Sequence, residues 1–103
     1  MSFSKRDLLQ LATQLGIRVT AAHTPSSIKT LVDQQIHEIY GRKGIGANTT
    51  VEYDSRAPRS VAGRRVTLQS GSVTWDGFYP QVRSVEGHTY GAHTVALHAT
   101  VVK

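Results

Sequence analysis

Cysteine is absent from this chain, and proline, methionine and tryptophan are scarce, at three, one and one. The missing thiols exclude a disulfide scaffold, a cysteine nucleophile and every thiolate-held zinc or iron–sulfur site. No apolar run approaches the roughly 18 residues of a membrane span. The opening Met-Ser-Phe-Ser-Lys-Arg-Asp carries no apolar stretch after its charges, so a cleaved export leader is not expected. Acidic residues are also few: seven, against twelve lysines and arginines, for a formal charge of +5. What remains, 103 residues with 39% hydrophobic and 18% charged side chains, suits one small folded domain or two sub-domains in contact.

The excess positive charge is concentrated. Arg56, Arg59, Arg64 and Arg65 fall in the segment DSRAPRSVAGRR, with no acid between positions 56 and 65. From 66 onward basic and acidic residues balance. A basic cluster of this kind suits a polyanion, nucleic acid first of all, though a solvated loop carries such charge equally well.

Hydrophobic periodicity divides the chain. Leu8, Leu11, Ala12 and Leu15 form one helical stripe, with Ser4 and Asp7 as an approximate capping box and Gly16 as the stop. Pro25, Ser26 and Ser27 announce a second helix with the stripe Ile28, Leu31, Val32, Ile36, Ile39 and Tyr40. Gly41 is expected to end it, with Arg42 and Lys43 at its negative pole. The text GRKGIGAN at 41–48 reads as a Gly-rich connection, placing the units at 1–43, 44–48 and 49–103. The last unit has strand character: 49–53, 65–69, Val73 with Trp75, 78–85 around Pro80, and 94–102 as the clearest strand. Asp76-Gly77 is a hairpin signal, and Pro80 indicates an edge or a bulge. The expected fold is α+β: a two-helix hairpin followed by a small antiparallel sheet or barrel of about five strands.

Catalytic constellations are not expected. There is no nucleophile elbow, no HExxH and no paired acid motif, and GRKGIG lacks the Gly-Lys-Ser/Thr ending of a phosphate loop. Glu52 and Asp54 share a strand face by alternation. His88, His93 and His98 recur every five residues, which on a strand sends neighbours to opposite faces and argues against a shared zinc. No metal or cofactor is expected. Trp75 reads as a core anchor, while Tyr79, Pro80 and Tyr90 are candidates for a protein interface.

The text KRDLLQLATQLGIRV followed by SSIKTLVDQQI resembles the helix–extended loop–helix family, which includes the N-terminal subdomain of the terminator Rho and relates to SAP and LEM modules. Leu8, Leu9, Leu11, Ala12, Leu15, Gly16 and Ile17 match its first part, and Lys29, Leu31, Val32 and Ile36 its second. The resemblance covers about two fifths of the chain, with a longer link. It implies DNA or RNA contact through Lys5, Arg6, Arg18 and Lys29, to which charge adds Arg42, Lys43 and the four arginines at 56–65. The layout of a helical hairpin and a neutral β half is also similar to small accessory proteins of tailed bacteriophages. That similarity implies a non-enzymatic virion component, of capsid-decoration or head-completion type, with self-association or a protein partner, found in the virion or host cytoplasm. A nucleic-acid-binding module is the alternative.

Overall fold

The computed structural model describes residues 5–76 and 79–102. It is α+β, and its elements run α1 (Lys5–Gln14), α2 (Pro25–Lys43), β1 (Thr50–Tyr53), β2 (Arg65–Thr67), β3 (Thr74–Asp76), β4 (Tyr79–Arg83), β5 (Thr89–Gly91), α3 (Ala92–His98) and β6 (Ala99–Val101). Ser4, Gly77 and Phe78, invoked above as cap, turn and strand residues, lie outside the described residues.

Both expected stripes are buried. Leu8, Leu11, Ala12 and Leu15 face Ile28, Val32, Ile36, Ile39 and Tyr40, while Leu31 is only half-buried. Gly16, at φ +76°, turns the chain out of α1, and the Ile17 N–H reaches back to the Ala12 carbonyl. At the start of α2 a reciprocal box forms: the Ser27 N–H donates to Thr24 Oγ1 and the Thr24 N–H to Ser27 Oγ, both at 3.1 Å. The helix does not stop at Gly41. It runs to Lys43 and ends at Gly44, whose φ of +78° provides the left-handed cap. A mid-helix glycine costs only about 1 kcal/mol. The extra turn carries Lys43 to α3, where Nζ donates to the carbonyls of Ala96 (2.7 Å) and Ala99 (2.8 Å).

The β-rich part holds six short strands in two antiparallel sheets, β2-β1-β6 and β3-β4-β5, and is not a closed barrel. The sheets are stitched by an isolated bridge between Leu68 and Ser84. On either side, the Gln69 N–H donates to the Arg83 carbonyl and the Val85 N–H to the Thr67 carbonyl. Pro80 lies in β4, the central strand of its sheet, and is buried, so the edge position expected for it is corrected. Its ladder partner is Trp75 on β3, and pairing with β5 begins one residue later at Gln81, so the missing N–H costs no bond on that side.

The principal correction concerns residues 94–102. The expected long strand is helix α3 followed by the three-residue β6. The alternation Val95, Leu97, Ala99, Val101 conceals a second pattern: Ala92, Val95, Ala96 and Ala99 stand at i, i+3, i+4 and i+7, and all are buried. α3 packs against β1, β4, β5, β6 and α2, spanning the interval between the two sheets. One hydrophobic cluster unites both halves of the chain, and Ile45, within the Gly-rich connection, belongs to it at 7% exposure.

Two tyrosines tie this core to pH. Burial pushes the Tyr40 phenol far above its ordinary value and the Tyr53 phenol up to about 12, with neighbouring phenols adding to both shifts. The unfolded chain ionises them near 10, so the folded state binds more protons above that pH. Stability is therefore full below pH 10 and falls as pH rises towards 12. Urea unfolding followed by Trp75 fluorescence at pH 9 and pH 11 is expected to show a lower midpoint at the higher pH; an unchanged midpoint contradicts the burial of these phenols.

Candidate functional site

The arginine segment becomes the loop 54–64 that joins β1 to β2. Its shape is set locally. Asp54 Oδ1 accepts the Arg56 N–H at 2.8 Å, an Asx turn. The Pro58 carbonyl accepts the N–H groups of both Val61 and Ala62 at 2.9 Å. Gly63, at φ +78°, donates to the Tyr53 carbonyl, and the Tyr53 N–H donates to the Arg64 carbonyl, closing the loop onto β1. Ala57 is buried beneath it. Arg56, Arg59 and Arg64 are left exposed on a hydrogen-bonded frame.

This loop and α3 flank a trough. One part is a cleft of about 490 Å³ whose walls include Tyr53, Arg64, Tyr79, Tyr90 and His93. The adjoining hollow, about 630 Å³, includes Gln14 of α1, Arg56, Leu97 and His98. Pro58, His93 and Thr94 line both, so the two hollows adjoin. No acidic side chain among the described residues lines either part, while Asp7 lines a smaller neighbouring hollow that shares Gln14, Tyr79 and His93 with them. The Tyr79 and His93 rings meet edge-on with centroids 6.1 Å apart, and those of Tyr53 and Tyr90 lie 6.3 Å apart at 41°. Tyr79 is 41% exposed. Burial, and secondarily His98, lower the His93 pKa, keeping its imidazole neutral at pH 7.

The other basic candidates are distributed differently. Lys5, Arg6 and Arg18 are exposed on the helical pair, and Lys5 Nζ lies 3.4 Å from the Ala21 carbonyl. Lys29 sits over the Trp75 ring, 5.1 Å from its centroid. Arg42 is exposed on the last turn of α2. Arg65 pairs with Glu52, Nε to Oε1 at 2.9 Å, directly across the β1–β2 ladder. Lys43 is occupied at α3. Burial lowers its pKa, so its charge is spent inside the fold.

Of the interface candidates, Pro80 is buried and is withdrawn, while Tyr79 and the half-buried Tyr90 line the trough. Trp75 packs against the core and donates through Nε1 to Asp33 Oδ1 at 2.6 Å, fastening β3 to α2. His93 and His98 belong to α3 rather than to a strand, and His88 lies in the turn before β5. Among the described residues no group of three or more His, Cys, Asp or Glu side chains is arranged to hold a metal. Sequence reasoning missed Tyr53 and the role of His93. Tyr53, Tyr79, Tyr90 and His93 come from β1, β4, β5 and α3, and no spacing announces their meeting.

No protein-family model, curated protein or solved structure matches this chain.

Proposed function

We propose that this chain is a non-enzymatic interaction protein whose partner is a nucleic acid, held along the trough by Arg56 and Arg64, with Arg59 exposed beside them on the same loop. The observation that carries this reading is the meeting of a hydrogen-bonded loop, exposing three arginines, with two concave walls that Arg64 and Arg56 line and no acidic side chain lines. A cleft lined by one sign of charge focuses the field and draws in a polyanion. Phosphate contacts of this type supply affinity without demanding a base sequence. The non-enzymatic part rests on the sequence, which carries no nucleophile elbow, no HExxH and no paired acid motif.

A virion accessory role, of capsid-decoration or head-completion type, is the companion proposal. It draws on the layout and on Tyr79 and Val85, the large hydrophobic side chains exposed among the described residues. Size exclusion with light scattering, with and without oligonucleotide at 50 and 200 mM salt, separates the two. A monomer that shifts with oligonucleotide at the lower salt and releases it at the higher is expected. A closed oligomer that ignores oligonucleotide contradicts the nucleic-acid reading and favours the assembly role.

A further inference from the structure

We infer that the trough takes an unpaired base of a single strand, so that the protein prefers single-stranded nucleic acid to duplex. This inference rests on the nucleic-acid reading above and adds the chemical form of the ligand.

A duplex offers its phosphates on a convex surface and keeps the faces of its bases stacked inside. Arg56 and Arg64 stand at concave walls. Arg64 lines a cleft of about 490 Å³, within the roughly 300–1,000 Å³ usual for small-molecule pockets, and Arg56 lines the hollow beside it. Such a cleft gives nothing to a duplex. A strand with unstacked bases can place one inside it.

The lining matches a base. Tyr79, exposed, and Tyr90, half-buried, line the cleft, and the Tyr79 and His93 rings meet at a steep angle. Aromatic faces stack on any base, because every base has a π face. Ser60, Thr89 and Thr94 add hydroxyls, which rotate to serve as donor or acceptor and so fit the edges of different bases. His93, neutral at pH 7, acts here as a ring surface and not as a phosphate clamp.

The charge placement matches the linkages on either side of that base. Arg64 lines the cleft, Arg56 lines the adjoining hollow, and His93 lies in the wall common to both. A base seated beside His93 would have Arg64 in the wall on one side and Arg56 in the wall of the adjoining hollow to meet its flanking phosphodiesters. Arginine suits this work, since its fork matches phosphate oxygens.

The test is fluorescence titration of the full chain with a short strand carrying one 2-aminopurine. It is repeated with the matching duplex, with an abasic strand, and with deoxyribose and ribose backbones, all at 50 mM salt. The expected result is tighter binding of the strand than of its duplex, with 2-aminopurine fluorescence quenched on binding. Tyr79→Leu keeps the apolar bulk but removes the π face; it should weaken strand binding about 5- to 150-fold and leave duplex binding unchanged. The abasic strand tests the same contact with unaltered protein, and it should bind wild type no better than the intact strand binds Tyr79→Leu. Preference for either backbone over its duplex supports the inference and identifies the sugar that the trough accepts. Equal or tighter duplex binding, or an unquenched base with full affinity for the abasic strand, overturns the inference while leaving the arginine contacts in place. Binding of neither strand nor duplex overturns the nucleic-acid reading itself.

Discussion

A chain carrying Arg56→Glu, Arg59→Glu and Arg64→Glu together is expected to lose nucleic-acid binding while keeping its fold. The three side chains are exposed, and the loop that bears them is held by backbone bonds and by Asp54, not by the guanidinium groups. Basic residues at an anionic surface contribute about 1 kcal/mol each. Removing three therefore costs roughly 100-fold in affinity, and reversing their sign costs more. Arg65 serves as the control. It stands opposite Glu52 across the ladder, so Arg65→Glu sets two carboxylates face to face, lowering stability by about 0.2–1 kcal/mol. Its affinity for nucleic acid should be nearly that of wild type. Fluorescence anisotropy paired with thermal unfolding checks both variants. Full affinity in the triple variant moves the footprint to Lys5, Arg6, Arg18 and Arg42 on the helical pair.

Lys43→Met separates charge that serves the fold from charge that serves a ligand. Lys43 Nζ caps the C-terminal carbonyls of α3 with two short hydrogen bonds, and its stem crosses from α2 to reach them. Hydrogen bonds from a charged donor contribute about 1.5–3 kcal/mol each, and the Ala96 and Ala99 carbonyls would be left without this donor. The last turn of α3 would also lose a cation at its negative pole. A loss of about 2–3 kcal/mol is expected for the pair, partly offset because the site is only half-buried and water can enter. In a domain of this size such a loss lowers the melting temperature by roughly 10–20 °C. Affinity for nucleic acid, measured well below that temperature, should not change. A variant that melts like wild type but binds weakly would return Lys43 to the ligand-facing set.

The helical pair was legible because its stripes carry the pattern twice over: apolar spacing along Leu8–Leu15 and Ile28–Tyr40, and stop or start signals at Gly16 and Pro25. The end of α2 was misread because Gly41 closes the stripe. The left-handed cap forms instead at Gly44, where Ile45 enters the core and Lys43 reaches α3. α3 was misread for a different reason. Residues 92–101 satisfy a period of two and a period of 3.6 together, and β-branched Thr94 and Val95 favour the strand in isolation. Contact with β1, β4 and β5, present only in the folded chain, decides for helix. The antiparallel sheet was foreseen in kind. Its division into two three-stranded sheets, stitched at Leu68 and Ser84, depends on register and was not. At the site, the arginines were visible as a charge run in one segment. The trough was not, because its rings lie on four elements dispersed over forty residues of chain and become neighbours only when α3 folds back against β4 and β5.

The most direct test of the trough as a nucleic-acid site is the salt dependence of wild-type affinity for a single strand. Three arginine–phosphate contacts release counterions with a slope of about −0.7 each in log K against log salt. A straight line of slope near −2 between 50 and 200 mM salt, flattening when Arg56, Arg59 and Arg64 are replaced, is the expected result. Binding that ignores salt, or no binding at 50 mM, would contradict it.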